Sequence, residues 1–263
     1  MSAPLDGLTI VVTRPAAQAT PFVDLATQAG ARCIRFPAIA IERVPLPADT
    51  LDEVARNRWD WAIYTSTNAV DAVSDALGGQ LPAARRSAAV GRATARALER
   101  SGVDVALRPH TADSEGLLAS PDLLAVAGAH VLLVKGVGGR DVLRETLTSR
   151  GAHVRPLEVY RRQRCEPTHE ARAQLHAALV ERDARCVVAV TSAEVLEALL
   201  QLVEGTDAPL LRSRPLLLPG SRVAATARRL GWSGPLVQAA TAEDDEMLRA
   251  VQQFAATRPA PPP

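Results

Sequence analysis

Leu8-Thr9-Ile10-Val11-Val12-Thr13-Arg14 opens a plan that the chain uses twice: this apolar run leads into a polar helix-like stretch, Ala29-Gly30-Ala31, then Arg32-Cys33-Ile34-Arg35-Phe36-Pro37 and Ile39-Ala40-Ile41-Glu42-Arg43. On the order of 125 residues later, a length suited to compact domains rather than a solenoid, the same order returns. Val131-Leu132-Leu133-Val134-Lys135 precedes a helix-like stretch, Arg150-Gly151-Ala152, His153-Val154-Arg155-Pro156 and Leu157-Glu158-Val159-Tyr160-Arg161. A second unit recurs as well. Thr65-Ser66-Thr67-Asn68 with the later Val90-Gly91-Arg92 answers to Thr191-Ser192-Ala193-Glu194 with Pro219-Gly220-Ser221-Arg222. The order A-B-A′-B′ predicts two similar half-sized lobes, and 47% apolar residues supply a core for each.

Short apolar runs alternate with amphipathic stretches: Thr9–Val12, Trp61–Tyr64, Ala88–Val90, Val131–Val134, Val187–Val190, Leu216–Leu218 and Leu236–Ala239. Runs of about four apolar residues, each followed by a helix signal, mark strands buried on both faces in βα units. Helical periodicity is clearest in Ala93–Ser101, Arg140–Arg150, Ala171–Glu181, Ala193–Val203 and Val223–Leu230, with Gly102, Gly151 and Gly231 placed to terminate three of these helices. The fold class is therefore α/β, two lobes with mostly parallel sheets. Ile39–Val44 and Leu157–Arg164 break the rhythm; the prolines that flank them, Pro37, Pro45, Pro47, Pro156 and Pro167, and their extended character predict a two-stranded crossing between lobes, with a ligand cleft between them.

With 30 basic and 29 acidic residues the formal net charge is +1, which argues against generic nucleic-acid binding. No apolar run approaches a membrane span, and no signal segment opens the chain. Cys33, Cys165 and Cys186 make no Cys-x-x-Cys pair, so a reduced, cytoplasmic setting is expected. The five histidines show no metal spacing, and no nucleophile elbow is present. The proline-rich end beginning at Arg258 is expected to form a disordered tail.

Ligands of open α/β sheets bind beyond the carboxyl ends of the strands, where helix N-termini offer free N–H groups. Arg14, Thr65, Ser66, Asn68, Ser192, Ser221 and Arg222 occupy such junctions, and so does Lys135-Gly136-Val137-Gly138-Gly139-Arg140. Any one hydroxyl here can equally be a helix cap. The glycine-rich run lacks both the Walker spacing and Gly-x-Gly-x-x-Gly; its amides, Lys135 and Arg140 suit carboxylates as well as phosphates. Tyr160, one of two tyrosines, ends a crossing segment and is open to either a packing or a proton-donating role.

Taken in order, Val12-Thr13-Arg14-Pro15, Asp60–Val70, Ala89–Ala95, Ser114–Leu118, Val134–Arg140 and Glu158–Arg162 resemble the uroporphyrinogen-III synthase family over roughly residues 8–254. The resemblance implies a discontinuous domain of residues 1–38 and 166–256, an inserted domain at 45–159, crossings at 39–44 and 160–165, and a tail from 257. It implies a monomer that needs no cofactor or metal. The implied reaction takes hydroxymethylbilane, a linear tetrapyrrole with eight carboxylates handed over from hydroxymethylbilane synthase, removes its hydroxyl as water, and closes the ring with inversion of the last pyrrole. An azafulvene cation and a spiro intermediate lie on the implied route. Tyr160 matches the family tyrosine that assists hydroxyl departure; Arg14, Thr65, Ser66, Asn68, Lys135, Gly138, Gly139, Arg140, Ser192, Ser221 and Arg222 are then the substrate-binding candidates. Gly220-Ser221-Arg222-Val223-Ala224 departs from the family's Gly-Pro-Thr-Thr-Ala and loses its threonine hydroxyls. Two other readings stay open: a non-catalytic two-lobe binding module, and a phosphate- or nucleotide-binding enzyme using Gly136–Arg140.

Overall fold

A computed structural model describes residues 3–109, 111, 113–139, 141–181 and 185–257. Arg140 and the tail from Arg258 lie outside the described residues. In chain order the elements are β1 (Leu8–Val12), α1 (Ala16–Gln28), β2 (Arg32–Arg35), β3 (Ile39–Arg43), α2 (Ala48–Arg56), β4 (Trp59–Tyr64), α3 (Thr67–Ala76), β5 (Ala84–Ala89), α4 (Arg92–Arg100), α5 (Ser114–Leu118), β6 (His130–Gly136), α6 (Val142–Ser149), β7 (His153–Arg164), α7 (His169–Val180), β8 (Arg185–Ala189), α8 (Ala193–Leu202), α9 (Asp207–Ser213), β9 (Leu216–Pro219), α10 (Gly220–Arg229), β10 (Leu236–Ala239) and α11 (Asp244–Ala256). Two compact units result, one of residues 1–40 with 163–263 and one of residues 41–162. The chain passes from one to the other within β3 and again within β7.

The first unit holds a five-stranded sheet in the order β10-β9-β8-β1-β2, parallel throughout. Its inner strands β1, β8 and β9 are buried on both faces, which is why they read as continuous apolar runs rather than alternating ones. The alternation survives inside the core. Val11, Val188, Leu216 and Leu218 pack with residues of α7, α8 and α10. Ile10, Val12, Val187 and Leu217 pack with those of α1 and α11.

The second unit repeats the design in the order β3-β7-β6-β4-β5, with β4, β5, β6 and β7 parallel. Ala62, Tyr64, Leu132 and Val134 face one core with Val54 of α2, Val70 and Val73 of α3 and Leu98 of α4. Trp61, Ile63, Val131 and Leu133 face the other, with Leu117 of α5 and Leu143 and Leu147 of α6. β3 runs opposite to its neighbour β7: Val44 N–H donates to the Val159 carbonyl at 3.0 Å, and Cys165 N–H to that of Ala38 at 3.1 Å. The first sheet has a 2-1-3-4-5 order with its switch point at β1/β8; in the second, β4 likewise has its successor β5 on one side and β6 on the other, so a switch point lies at β4/β6, and the antiparallel β3 forms the far edge.

Gly102, Gly151 and Gly231 all have positive φ just past α4, α6 and α10, as their positions predicted. The next N–H in each case reaches back to close the helix, from Val103 to Leu98, Ala152 to Leu147 and Trp232 to Ala227. Other boundaries move. The helix expected from Arg140 is seen from Val142, and β5 begins at Ala84, with exposed Arg85 and Arg86, before its apolar part. Pro47 does not exclude a helix but enters one: its φ of −58° suits the residue before α2. Among the described residues no helix is long and apolar enough to cross a membrane.

Tyr64, at the end of β4, is fully buried and its hydroxyl has no hydrogen-bond partner among the described residues. Burial also holds its ionisation well above the ordinary 10.0. Tyr64→Phe is therefore expected to raise stability at pH 7 by about 1 kcal/mol, the hydroxyl's uncompensated desolvation being removed. Above pH 10 the unfolded chain ionises this tyrosine while the folded one does not, so the unfolded state binds fewer protons and wild-type stability falls as pH rises. The advantage of Phe should widen there. Urea midpoints of both proteins at pH 7 and pH 10.5 measure it, and equal midpoints contradict it.

Candidate active site

Tyr160 lies on β7 at an irregularity in the sheet. Lys135 of β6 pairs with Glu158, but the next residue, Gly136, pairs with Tyr160, so Val159 is skipped as a β-bulge. Regular alternation would turn Tyr160 away from Leu157 and Val159; with the extra residue all three join the same core cluster. The ring is 2% exposed.

Its hydroxyl sits beside the switch point of this unit. Tyr160 Oη is 3.0 Å from Ser66 Oγ and accepts a hydrogen bond from Arg162 Nη2 at 3.1 Å. The Arg162 guanidinium also lies over the ring, 5.5 Å from its centroid. Ser66 is the N-cap of α3, accepting from Ala69 N–H at 3.2 Å, and is itself half-buried. Capping and hydrogen bonding to Tyr160 coexist because a hydroxyl oxygen accepts twice and donates once. Thr65 instead donates to the Val134 carbonyl at 3.3 Å, tying the end of β4 to β6. Asn68, half-buried on the first turn of α3, accepts through its backbone carbonyl from Arg43 Nη1 at 3.2 Å.

The glycine-rich run after β6 is occupied by the protein's own groups. Lys135, mostly buried, places Nζ 2.8 Å from Asp141 and 4.0 Å from Glu158. Hydrogen bonds from Lys135 and then Arg144 hold the Asp141 carboxyl below its ordinary range. Gly138 N–H points to Glu158 Oε1 at 3.4 Å, and Val137 N–H donates to the Tyr160 carbonyl at 2.8 Å. Asp141 and Glu158 thus balance the charge of Lys135 and Arg144 in the described part of the loop. Gly138 and Gly139, with φ of 75° and 80°, are exposed and shape the turn.

The first unit carries the remaining candidates at the carboxyl edge of its own sheet. Ser192 caps α8 through Val195 N–H at 3.2 Å. Ser221 and Arg222 are exposed on the first turn of α10, which has no side-chain cap. Arg14 is buried: its guanidinium ion-pairs with Asp244, donates to the Ala242 carbonyl at 3.2 Å and covers the Phe22 ring at 4.9 Å. Among the described residues no group of three or more His, Cys, Asp or Glu side chains is arranged to hold a metal ion.

Arg162, which donates to the Tyr160 hydroxyl, is not among the candidates that the sequence singled out. A signal existed: two residues beyond Tyr160 on an extended strand, it shares that residue's face.

The sequence profile described as Uroporphyrinogen-III synthase HemD matches residues 20–249. The chain belongs to the uroporphyrinogen-III synthase family. The uroporphyrinogen-III synthase of Salmonella typhimurium is 35% identical over 254 residues, covering 93% of this chain and 100% of its own. That of Escherichia coli is 34% identical over the same length and coverage. A mutant uroporphyrinogen III synthase from the extremely thermophilic bacterium Thermus thermophilus superposes with a TM-score of 0.59 at 25% identity, over 95% of this chain and 99% of that one. The uroporphyrinogen-III synthetase of Helicobacter pylori has the same TM-score at 15% identity and speaks to the fold alone. The uroporphyrinogen-III synthase fold thus accounts for both units of the chain.

Proposed function

We propose that this chain, an enzyme of tetrapyrrole biosynthesis, closes hydroxymethylbilane to uroporphyrinogen III with Tyr160 as the proton source and Ser66 as the group that passes the proton on. The observation that carries this reading is the hydrogen-bond chain Arg162–Tyr160–Ser66 at the β4/β6 switch point. Tyr160 is too buried to meet a substrate broadly, whereas Ser66 is half-buried. The relay assigns the donor: with the Tyr160 hydroxyl donating to Ser66 Oγ, which also accepts from Ala69 N–H, Ser66 keeps its own proton for the departing hydroxyl. As the carbon–oxygen bond breaks, water leaves, the azafulvene cation forms and negative charge grows on Tyr160 Oη. Arg162, already donating to that oxygen, stabilises it there. The proton lost from carbon when the spiro intermediate rearranges and the ring closes restores the phenol.

Carboxylate groups of the substrate are assigned to helix N-terminal turns: Asn68 in the second unit, and Ser192, Ser221 and Arg222 in the first. Arg222 replaces the missing threonine hydroxyls as a charged donor. Three unpaired cysteines support a reducing, cytoplasmic setting. No step calls on a second copy, which suits a monomer taking its unstable substrate from hydroxymethylbilane synthase. The isomer distribution of the product tests this function, type III being expected and type I alone contradicting it.

A further inference from the structure

Three glycines follow Lys135, and they are glycines for two different reasons. Gly138 and Gly139 have left-handed φ values, and a Cβ on either meets nothing within 4 Å. Gly136 is the reverse case. It has no positive φ, so its backbone accepts any residue, yet a Cβ there falls 2.7 Å from Cζ, 2.9 Å from Cε2 and 3.0 Å from Oη of Tyr160. Distances under about 3 Å between such atoms are far inside van der Waals contact. The ring has nowhere to yield, being 2% exposed and packed in the core of the second unit.

We propose that Gly136 is a positioning residue for Tyr160: its missing side chain is the space in which the phenol reaches Ser66. The proposal rests on Tyr160 being the proton source. Two further observations join it. The bulge that puts Tyr160 opposite Gly136 is the same irregularity that turns the ring toward Ser66. The residue after Gly136 then fastens the two strands, through Val137 N–H to the Tyr160 carbonyl at 2.8 Å. The glycine-rich run accordingly serves as a seat for a catalytic phenol rather than as an anion cradle. A methyl group at 136 displaces Oη by a fraction of its hydrogen-bond length, and misplacement by about 1 Å is enough to cost about 10²-fold in rate.

Steady-state kinetics on Gly136→Ala, Tyr160→Phe and the double variant test it, with thermal unfolding as control. The expected result is a fall of about 10²-fold in kcat for Gly136→Ala with KM little changed, and a double variant no slower than Tyr160→Phe alone, because the displaced group is already gone. Wild-type kcat in Gly136→Ala, or losses that multiply in the double variant, overturns the proposal. If Tyr160→Phe itself keeps wild-type kcat, the proton-source reading fails first and is identified as the fault. Should Gly136→Ala not fold by circular dichroism, Gly136→Ala combined with Tyr160→Leu, whose shorter side chain removes the conflict, is expected to fold; failure of that rescue also overturns the proposal.

Discussion

Tyr160→Phe lowers kcat by about 10² to 10⁴-fold, the usual contribution of a positioned acid, while leaving the fold intact. The variant removes one atom. The ring keeps its contacts with Val159, Leu157 and Gly136, and Phe fills the same space. What disappears is the acceptor for Arg162 and the donor to Ser66. The thermal midpoint should shift only by the equivalent of these two hydrogen bonds, about 2 kcal/mol in all. Because the lost interaction acts on departure of the hydroxyl rather than on the bound carboxylates, KM should change little. Ser66→Ala acts on the same path, so it should add little to the loss in Tyr160→Phe, apart from the about 1 kcal/mol of helix stability that an N-cap contributes. Losses that multiply across the pair would separate the two hydroxyls and remove the relay.

Arg14→Ala is expected to act on folding instead. Arg14 follows β1, and its side chain is 10% exposed; Asp244, its partner, opens α11 and is 26% exposed. The guanidinium joins the first strand of the unit to its last helix, with Phe22 of α1 beneath it. Truncation leaves a largely desolvated carboxylate without its counter-ion, a change that costs about 3 kcal/mol. For a unit of this size that is a fall of roughly 10 °C in the melting temperature. Replacing both partners by apolar residues, as in Arg14→Met with Asp244→Leu, should recover most of it, since the penalty lies in the unpaired charge rather than in the lost pair. Thermal unfolding of the three variants decides. A melting temperature for Arg14→Ala within about 2 °C of wild type, accompanied by a large rise in KM, would return Arg14 to the substrate-binding set.

Much of this architecture is readable in the amino-acid sequence because parallel strands buried on both faces leave so plain a mark. Val131-Leu132-Leu133-Val134 has no polar residue to spare, and neighbouring residues of that run feed opposite cores. Gly102, Gly151 and Gly231 punctuate helices for a local steric reason, so they too are visible. α2 is not, because Pro45 and Pro47 crowd its start and proline both ends helices and begins them. The site divides in the same way. Ser66 and Ser192 announce themselves as caps, and they are caps. The second hydrogen bond of Ser66 depends on a residue 94 positions away that a bulge rotates onto the right face. Counting alternate residues along β7 sends Tyr160 to the wrong side, and only the pairing with β6 corrects it. Lys135 looks like a free cation in the sequence, yet Asp141 and Glu158 neutralise it once the turn is folded. Local chemistry can be read from a chain directly; a register shift and the partners it selects need the sheet.

The most direct measurement of the central claim is the isomer composition of the product when hydroxymethylbilane, generated by its own synthase, is given to this protein and the porphyrinogens are oxidised and separated by chromatography. The relay and the family reaction together predict that type III dominates with the wild-type chain and that Tyr160→Phe shifts the product toward type I, the isomer of spontaneous closure. Type I alone from the wild-type chain would contradict the account.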